Sequence, residues 1–501
     1  MISLTEKSQV PRSFGDSSPW FPIVRREKLA FRRGFDHSAR PNWPWYEISN
    51  LPLGLVLIMG ILCGCHSEPS SPVNNQATTF PASPEIRVAA EDWSEFVQGP
   101  AQQSAGWIAI PPSLDVNPFK SNSDPAAMGI VGPEACRKCH GEIVDSFSET
   151  SHALTSRVAA SDSMLGKLQS PDNEVQTSVD GFVLSTFAEG DSVLQQVSYH
   201  SAREDLTVKF RLAFTVGSGN HGQSFLAWHG DQLCQTPISY LSEAACWGNS
   251  PGIYRDGTAD FARPATTRCL DCHNTWFGHA PGSVNRYDRE QWILGVTCVR
   301  CHGPARDHIR YHEAFTDKVD PMYIVNPRSL SRERSNEVCA QCHSGAGEFR
   351  RPAFTYKPGE RLSDWIDIDL NAASAANDDP HAANQLGRLM RSRCSISSGT
   401  LTCIDCHDPH HQERGNQQLF SQRCQKCHEP SACVKWETYK GAIESRCIDC
   451  HMPSRRDAAV TSQGLDRAVV PLLRDHLIAV WPDVSRTIEA TLLTEKGEAP
   501  Q

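Results

Sequence analysis

A short motif, two cysteines separated by two residues and followed at once by histidine, occurs seven times in this chain of 501 residues. Because residues i and i+3 of a helical turn share one face, the two thiols can form thioethers with one porphyrin while the adjacent histidine reaches its iron. This is the attachment pattern of c-type haem, so the sequence predicts seven covalently bound haems. The motifs, numbered 1 to 7 in chain order, are Cys136–His140, Cys269–His273, Cys298–His302, Cys339–His343, Cys403–His407, Cys424–His428 and Cys447–His451. Their second cysteines are Cys139, Cys272, Cys301, Cys342, Cys406, Cys427 and Cys450.

The alternative interpretation of a cysteine pair at this spacing is half a zinc site, in a structural or metal-storage protein, or a redox dithiol. Neither needs a histidine directly after the second cysteine, whereas every such pair in this chain has one. Haem attachment is therefore the favoured interpretation. Of the remaining cysteines, Cys234 and Cys246 are close enough in sequence to form a disulfide in an oxidising compartment, and free thiols are an equal alternative.

Each haem iron has a second axial position, and the supply of histidine predicts its occupant. The chain has 20 histidines and 7 methionines, so histidine on both sides of the iron is the expected arrangement for most haems. A histidine a few residues after a motif cannot fold back to the other face of its own haem, and we expect it to serve a neighbouring one. The predicted second ligands are His152, His221, His279, His308, His381, His410 and His476. His312 competes with His308, and His411 competes with His410.

The segment before the first motif carries the signals of export. An apolar run from Leu51 to Leu62 follows a basic stretch and is too short to span a bilayer comfortably, so it fits the apolar region of an export signal. The run ends in Leu62-Cys63-Gly64-Cys65, which resembles the lipobox of bacterial lipoproteins. That resemblance implies lipidation of Cys65. An ordinary signal cut near Cys65 and an uncleaved anchor are the alternatives.

The long interval between motifs 1 and 2 differs from the rest of the chain. Residues 207–216 alternate in polarity as a half-buried strand does. Asp180-Gly181 and Gly230-Asp231 each separate two apolar runs and predict hairpin turns. The predicted fold is therefore mainly α with sparse secondary structure, a multihaem cytochrome c fold with a small antiparallel β insert between haems 1 and 2.

This pattern divides the chain into six predicted regions. The body begins after a Ser-, Pro- and Thr-rich tether that separates it from the export signal. The regions are the signal with lipobox at 1–65, the tether at 66–95, the first haem region at 96–170, the β-rich insert at 171–250, the six-haem region at 251–482 and a tail at 483–501.

The residues that follow several of the motifs resemble those of a known protein family. Ser-His152-Ala follows motif 1, motif 3 continues as Gly-Pro-x-x-x-His308, motif 5 as Asp-Pro-His410, and motif 7 as Met-Pro. In these features the chain resembles bacterial multihaem c-type cytochromes, the broad family that includes the tetrahaem cytochromes of nitrifiers and octahaem relatives. The resemblance covers about Gly132 to Pro482, with Asn173 to Asn249 the least similar part.

Two functions fit these features. The first is electron transfer through mostly bis-histidine haems in the cell envelope. The alternative is an oxidoreductase in which one five-coordinate haem reduces a nitrogen or sulfur oxyanion; no catalytic residue can be named for it. The expected partners are other redox proteins of the envelope, with the membrane reached through the lipid anchor. A net charge of −10 argues against nucleic acid as a partner.

Overall fold

The structure is a computed structural model. It describes residues 107–109, 124–200, 202, 205–252, 258–345, 347–368, 384–456, 462–463 and 468–495. The predicted export signal, the tether and His381 lie outside these ranges. The described residues belong to one compact unit, Ile86–Gln501. No helix within the described ranges is long and apolar enough to cross a membrane.

The helices within the described ranges are short, and five of the twelve contain a whole motif. Motif 1 lies in α1, which bends at His140, and motifs 2, 3, 4 and 7 lie in α2, α3, α5 and α11. Motif 5 begins with a 3-10 turn, and motif 6 begins at the last residue of α8. The helices are α1 Glu134–Ser148, α2 Thr267–His273, α3 Cys298–His302, α4 Arg306–Ala314, α5 Arg332–His343, α6 Gln385–Met390, α7 Arg393–Ser398, α8 Gln417–Cys424, α9 Trp436–Tyr439, α10 Gly441–Glu444, α11 Cys447–His451 and α12 Pro482–Glu495.

Strands are concentrated between motifs 1 and 2 but continue beyond motif 2. In chain order they are β1 Trp107–Ala109, β2 Ser156–Val158, β3 Glu174–Gln176, β4 Phe182–Glu189, β5 Ser192–His200, β6 Asp205–Arg211, β7 Phe214–Val216, β8 Gly222–His229, β9 Gln232–Gln235, β10 Ile238–Leu241, β11 Cys246–Asn249, β12 Thr258–Asp260, β13 Arg263–Pro264, β14 Asn274–His279, β15 Tyr287–Leu294, β16 Glu348–Phe349, β17 Ile366–Asp367, β18 Ser454–Arg456, β19 Ser462–Gln463, β20 Ala468–Val469 and β21 Leu472–Arg474.

Two sheets build the region between motifs 1 and 2. Strands β3 to β6 form an antiparallel sheet in sequential order, and β2, β7, β8, β10 and β11 form the path of a second sheet that β9 and β13 join. Apolar side chains from both sheets share one buried core, in which Phe182 and Val208 of the first meet Phe225 and Trp247 of the second. The fully buried core residues alternate along β4 and β6, as expected for strands with one face covered.

Both predicted hairpins are present. Strand β3 pairs with β4 across a turn that ends at Gly181, and β8 pairs with β9 across Gly230-Asp231. Gly181 has a φ of 75° and Gly230 a φ of 60°, a left-handed backbone that glycine adopts without steric cost. The predicted single strand over residues 207–216 is wrong in one respect. It divides into β6 and β7, because Leu212 N bonds Val193 O in the first sheet while Ala213 N bonds Leu226 O in the second.

The expectation of a mainly α fold needs correction. Helix makes up 33% of the described residues and strand 26%, so strand content is substantial. Part of the excess lies outside the predicted insert, in the hairpin of β14 and β15 directly after motif 2. Its Trp276, Phe277 and Tyr287 are buried in a second apolar core that also holds Val299 of motif 3. Aromatic side chains are favoured on a pleated and half-buried surface. Here they share a core with Leu270 of motif 2 and Val299 of motif 3.

Candidate haem sites

The motif helices end at their histidines. Helices α2, α3, α5 and α11 have His273, His302, His343 and His451 as their last residues. Two of these helices are capped at their start: the Thr266 side chain accepts a hydrogen bond from Cys269 N at α2, and the Ser331 side chain accepts one from Arg334 N at α5. In these helices, both thiols of a motif therefore lie within one turn, immediately before the histidine.

Several histidines are oriented by a hydrogen bond from Nδ1. His302 Nδ1 donates to Val325 O at 2.8 Å, His451 Nδ1 to Ala479 O at 2.9 Å, and His343 Nδ1 to Gln385 Oε1 at 3.0 Å. Outside the motifs, His476 Nδ1 donates to Arg474 O at 3.0 Å. A proton held on Nδ1 leaves the lone pair on Nε2, which is the arrangement that metal-bound histidines use.

Imidazole rings of different motifs and segments face one another in pairs. The centroids of His302 and His410 lie 6.0 Å apart, with ring planes 15° apart. The centroids of His407 and His476 lie 6.2 Å apart at 27°, and those of His343 and His152 lie 6.2 Å apart at 78°. Each pair joins a motif histidine to a histidine that the sequence predicts as a second ligand.

The rings of His152 and His476 are largely shielded from water. Burial lowers the pKa of His152 to about 4, and the nearby His343 and His407 rings lower it further. Burial likewise lowers the pKa of His476 to about 4, with His407 as the second cause. Both imidazoles are therefore neutral at pH 7, the state that binds a metal. His152, His343, His407 and His476 form one cluster, since His152 also interacts with His407 and His476 with His343.

Thiols of different motifs also lie next to one another. Cys136 of motif 1 contacts Cys298 of motif 3, which raises the pKa of Cys136 and lowers that of Cys298 to about 7. The same contact joins motif 2 to motif 4, and motif 4 to motif 5. These two pairs are Cys272 with Cys342 and Cys339 with Cys403. The fold thus brings the haem-attachment cysteines of different motifs into contact with one another.

A family model described as cytochrome c554 and c-prime matches residues 254–303, which contain motifs 2 and 3. The chain is 23% identical over 193 residues to the multihaem cytochrome MtrA of Shewanella baltica, a match that covers 34% of this chain and 54% of MtrA. It is 25% identical over 183 residues to the c-type polyhaem cytochrome OmcB of Geobacter sulfurreducens, covering 30% of this chain and 24% of OmcB. This chain is a bacterial multihaem c-type cytochrome.

The cytochrome thus spans about half the length of MtrA and about a quarter of OmcB. Among solved structures, the outer cell wall cytochrome OcwA matches with a TM-score of 0.44 and 15% sequence identity, over 74% of this chain and 85% of that chain.

The residues of this cytochrome fit haem at the paired histidines. Two imidazoles that bind one metal from opposite sides, each through a nitrogen about 2 Å away, have centroids about 6 Å apart, as the three pairs do. Within the described ranges, no three His, Cys, Asp or Glu side chains converge on a point that could hold a metal ion by themselves. Two ligands per site match a haem iron, whose other four ligands belong to the porphyrin.

Other predicted second ligands lie elsewhere. His279 ends β14 and its ring contacts Phe354, with centroids 6.1 Å apart. His221 lies 3.2 Å from Arg414 Nη2. His308 and His312 lie side by side on α4, and His308 interacts with His302. The structure does not bring these residues into a ring pair with a motif histidine, and His381 lies outside the described residues.

The structure also describes two cysteines whose pairing the sequence left open, and one glutamine whose role no sequence motif indicates. Cys234 is buried in β9 and Cys246 lies in β11, and both are free thiols. Gln385, the acceptor for His343 Nδ1, carries no sequence signal, because it lies outside every motif and reaches His343 only in the folded chain.

Proposed function

We propose that this cytochrome transfers electrons through seven covalently attached haems, most of them held by two histidines. Haem iron, when bound, supplies a reversible one-electron couple, and the protein supplies position, ligands and dielectric. The observation that carries the proposal is the set of cross-segment histidine pairs at 6.0 to 6.2 Å. A second histidine on the iron favours a closed, low-spin site suited to electron transfer.

The pairs assign a second ligand to three haems. His410 would serve motif 3 opposite His302, His152 would serve motif 4 opposite His343, and His476 would serve motif 5 opposite His407. In each case a histidine from outside the motif closes the site, as expected for ligands that tie neighbouring haems together. Burial keeps His152 and His476 neutral, so neither must lose a proton to bind iron at pH 7.

Hydrogen bonds join the motifs into a continuous series. Motif 2 is linked to motif 3 by the buried Asp271–Arg300 ion pair at 3.1 Å, and motif 4 is linked to motif 3 by Gln341 Nε2, which donates to Arg300 O at 3.0 Å. Motif 5 is held against α5 by Cys403 N, which donates to Asn336 Oδ1 at 3.0 Å. Motifs 2 to 5 are therefore packed directly on one another around α5.

The series continues to the last motif. Arg423 Nη1, directly before motif 6, donates to Cys406 O of motif 5 at 2.5 Å. Cys447 N of motif 7 donates to Ser421 Oγ of α8 at 3.2 Å. With the Cys136–Cys298 contact at the other end, we infer the spatial order 1, 3, 4, 5, 6 and 7, with motif 2 beside motifs 3 and 4. Such an order gives short steps between neighbouring haems along the molecule.

We further propose that the protein is exported and anchored through lipid on Cys65, where it exchanges electrons with other redox proteins of the cell envelope. The support is the basic stretch, the apolar run and the lipobox-like end of residues 51–65. Incorporation of a labelled fatty acid tests the anchor: the wild type should be labelled and the Cys65→Ala variant should not. Equal labelling of the two proteins would overturn it.

The central test uses the full-length protein purified with its haems. Intact mass should show seven added haems, and a haemochrome assay should give the same count. Carbon monoxide or nitrite added to the reduced protein should leave the Soret band unchanged at the haems of motifs 3, 4 and 5. A response in the wild type that does not increase when His152, His410 or His476 is replaced with alanine would show that the corresponding iron is already open and would support the oxidoreductase alternative instead.

A further inference from the structure

One short helix, α6 (Gln385–Met390), reaches toward the ligands of two neighbouring haems. At its first residue, Gln385 Oε1 accepts the hydrogen bond from His343 Nδ1 at 3.0 Å. The motif histidines His302 and His451 donate instead to backbone carbonyl oxygens. Among these three orienting bonds, that of motif 4 alone ends on a side chain, so it can be changed by substitution without moving the backbone.

The position of Gln385 is fixed by the start of α6. Asn384, which is buried, caps the helix by accepting from Gly387 N at 3.1 Å. The helix also packs on α5, whose last residue is His343. The capped start of α6 and its packing on α5 therefore fix the position of Gln385 relative to His343.

The other end of α6 holds the segment that carries His476. Arg388 binds Asp475 with two hydrogen bonds, Nε to Oδ1 at 2.9 Å and Nη2 to Oδ2 at 2.5 Å, and both side chains are almost fully buried. Just after α6, Ser392 Oγ donates to His476 O at 3.0 Å and accepts from Ile478 N at 2.8 Å. The residues on both sides of His476 are thus bonded to α6 or to Ser392, which directly follows it.

We propose that Gln385 is a positioning residue that sets the reduction potential of the motif 4 haem, and that α6 holds the second ligand of the motif 5 haem through Arg388 and Asp475. The inference rests on the proposed function, since it takes His343 and His476 as iron ligands. An acceptor on Nδ1 fixes the ring and makes the imidazole a stronger donor to the metal. A stronger donor stabilises the oxidised iron, so the charge of the acceptor should control the potential.

The first test compares Gln385→Glu and Gln385→Leu in the full-length protein loaded with haem. Glutamate keeps the shape and adds a negative charge, so one of the seven midpoint potentials should fall. Leucine removes the acceptor, so one potential should rise and one low-spin electron paramagnetic resonance signal should change. Gln196→Glu, a polar glutamine of β5 that bonds Ser198, adds the same charge away from the motifs. It should leave all seven potentials in place.

Identical midpoint potentials in redox titrations of Gln385→Glu, Gln385→Leu and the wild type would overturn the role of Gln385. If Gln385→Glu does not accumulate with seven haems, Gln385→Asn shortens the side chain without adding charge and should reproduce the leucine result; unchanged potentials in that variant would also overturn the role. If the wild type itself lacks a low-spin motif 4 haem, the proposed function fails rather than this inference alone.

The second test removes the charge of Asp475. Asp475→Asn leaves Arg388 buried without its carboxylate, so the His476 segment should shift and one low-spin signal should convert to high-spin. Asp483→Asn breaks an exposed pair with Arg486 and is the matched control. An Asp475→Asn protein with seven unchanged low-spin signals would show that the Arg388–Asp475 pair does not position His476.

Discussion

The imidazole rings of His407 and His476 lie 6.2 Å apart between centroids, although motif 5 and the segment before α12 are distant in sequence. His476 is held by its own Nδ1 bond to Arg474 O, by the bond from Ser392 Oγ to its carbonyl oxygen and by the contact of the neighbouring Asp475 with Arg388 of α6. A ring so constrained is preorganised to close the second side of the motif 5 iron.

Replacing His476 with alanine should therefore open one iron. One of the seven low-spin signals should become high-spin, and the reduced protein should bind carbon monoxide at that haem. The measurement is electron paramagnetic resonance of the oxidised protein together with a carbon monoxide difference spectrum. Replacing the exposed His200 of the insert should have neither effect. A His476→Ala protein that stays fully low-spin would contradict the pairing with His407.

His410 and His411 are neighbours, and the structure separates their roles. The His410 ring faces His302, whereas His411 Nδ1 bonds Asp408 Oδ2 at 3.0 Å and its side chain is 60% exposed. His410→Ala should convert one haem to high-spin, and His411→Ala should leave the spectrum unchanged. The two variants have the same composition, so each controls for the other. The reverse result would assign the motif 3 ligand to His411.

The Asp271–Arg300 ion pair should dominate the stability of the contact between motifs 2 and 3. Both side chains are 4% exposed, and Asp271 Oδ1 also accepts from Phe354 N. Removing one partner of a buried pair leaves an uncompensated charge, so Asp271→Ala should lower the free energy of unfolding by about 3–5 kcal/mol. Urea unfolding followed by far-ultraviolet circular dichroism measures this. Asp483→Ala at the surface should change it by about 0.5 kcal/mol or less.

The Glu413–Arg423 pair should make stability depend on pH in the acid range. Bonding to Arg423 holds the pKa of Glu413 below its ordinary value of 4.5. Because the folded pKa is depressed, the contribution is fully present above about pH 5 and is lost as pH falls through the folded value. Glu413→Gln should cost about 1–3 kcal/mol at pH 7 and should show a shallower loss of stability on acidification. Identical slopes for the variant and wild type would contradict this origin.

The haem-attachment sites of this cytochrome depend only on residues that are neighbours in the chain, and so the sequence alone determined them. A Cys-x-x-Cys-His motif places two thiols and an imidazole on one helical turn by backbone geometry alone, and α2, α3, α5 and α11 show that turn. The hairpins at Gly181 and Gly230 were predictable for the same reason, because a positive φ within a short turn is a local requirement. The sequence also showed, by the number of its histidines, that enough of them were present to serve as second ligands.

Tertiary structure alone decided which distant residues meet. The match of His152 with His343, the acceptor role of Gln385 and the division of one predicted strand into β6 and β7 all depend on long-range packing. The expectation of a mainly α fold underestimated the strands for the same reason: β14 and β15 bury Trp276, Phe277 and Tyr287 in the core that also holds Val299 of motif 3, and local propensity does not report what will cover a strand. Ligand pairs and sheet partners are contacts between segments far apart in the chain, and only the folded arrangement of those segments brings them within bonding distance.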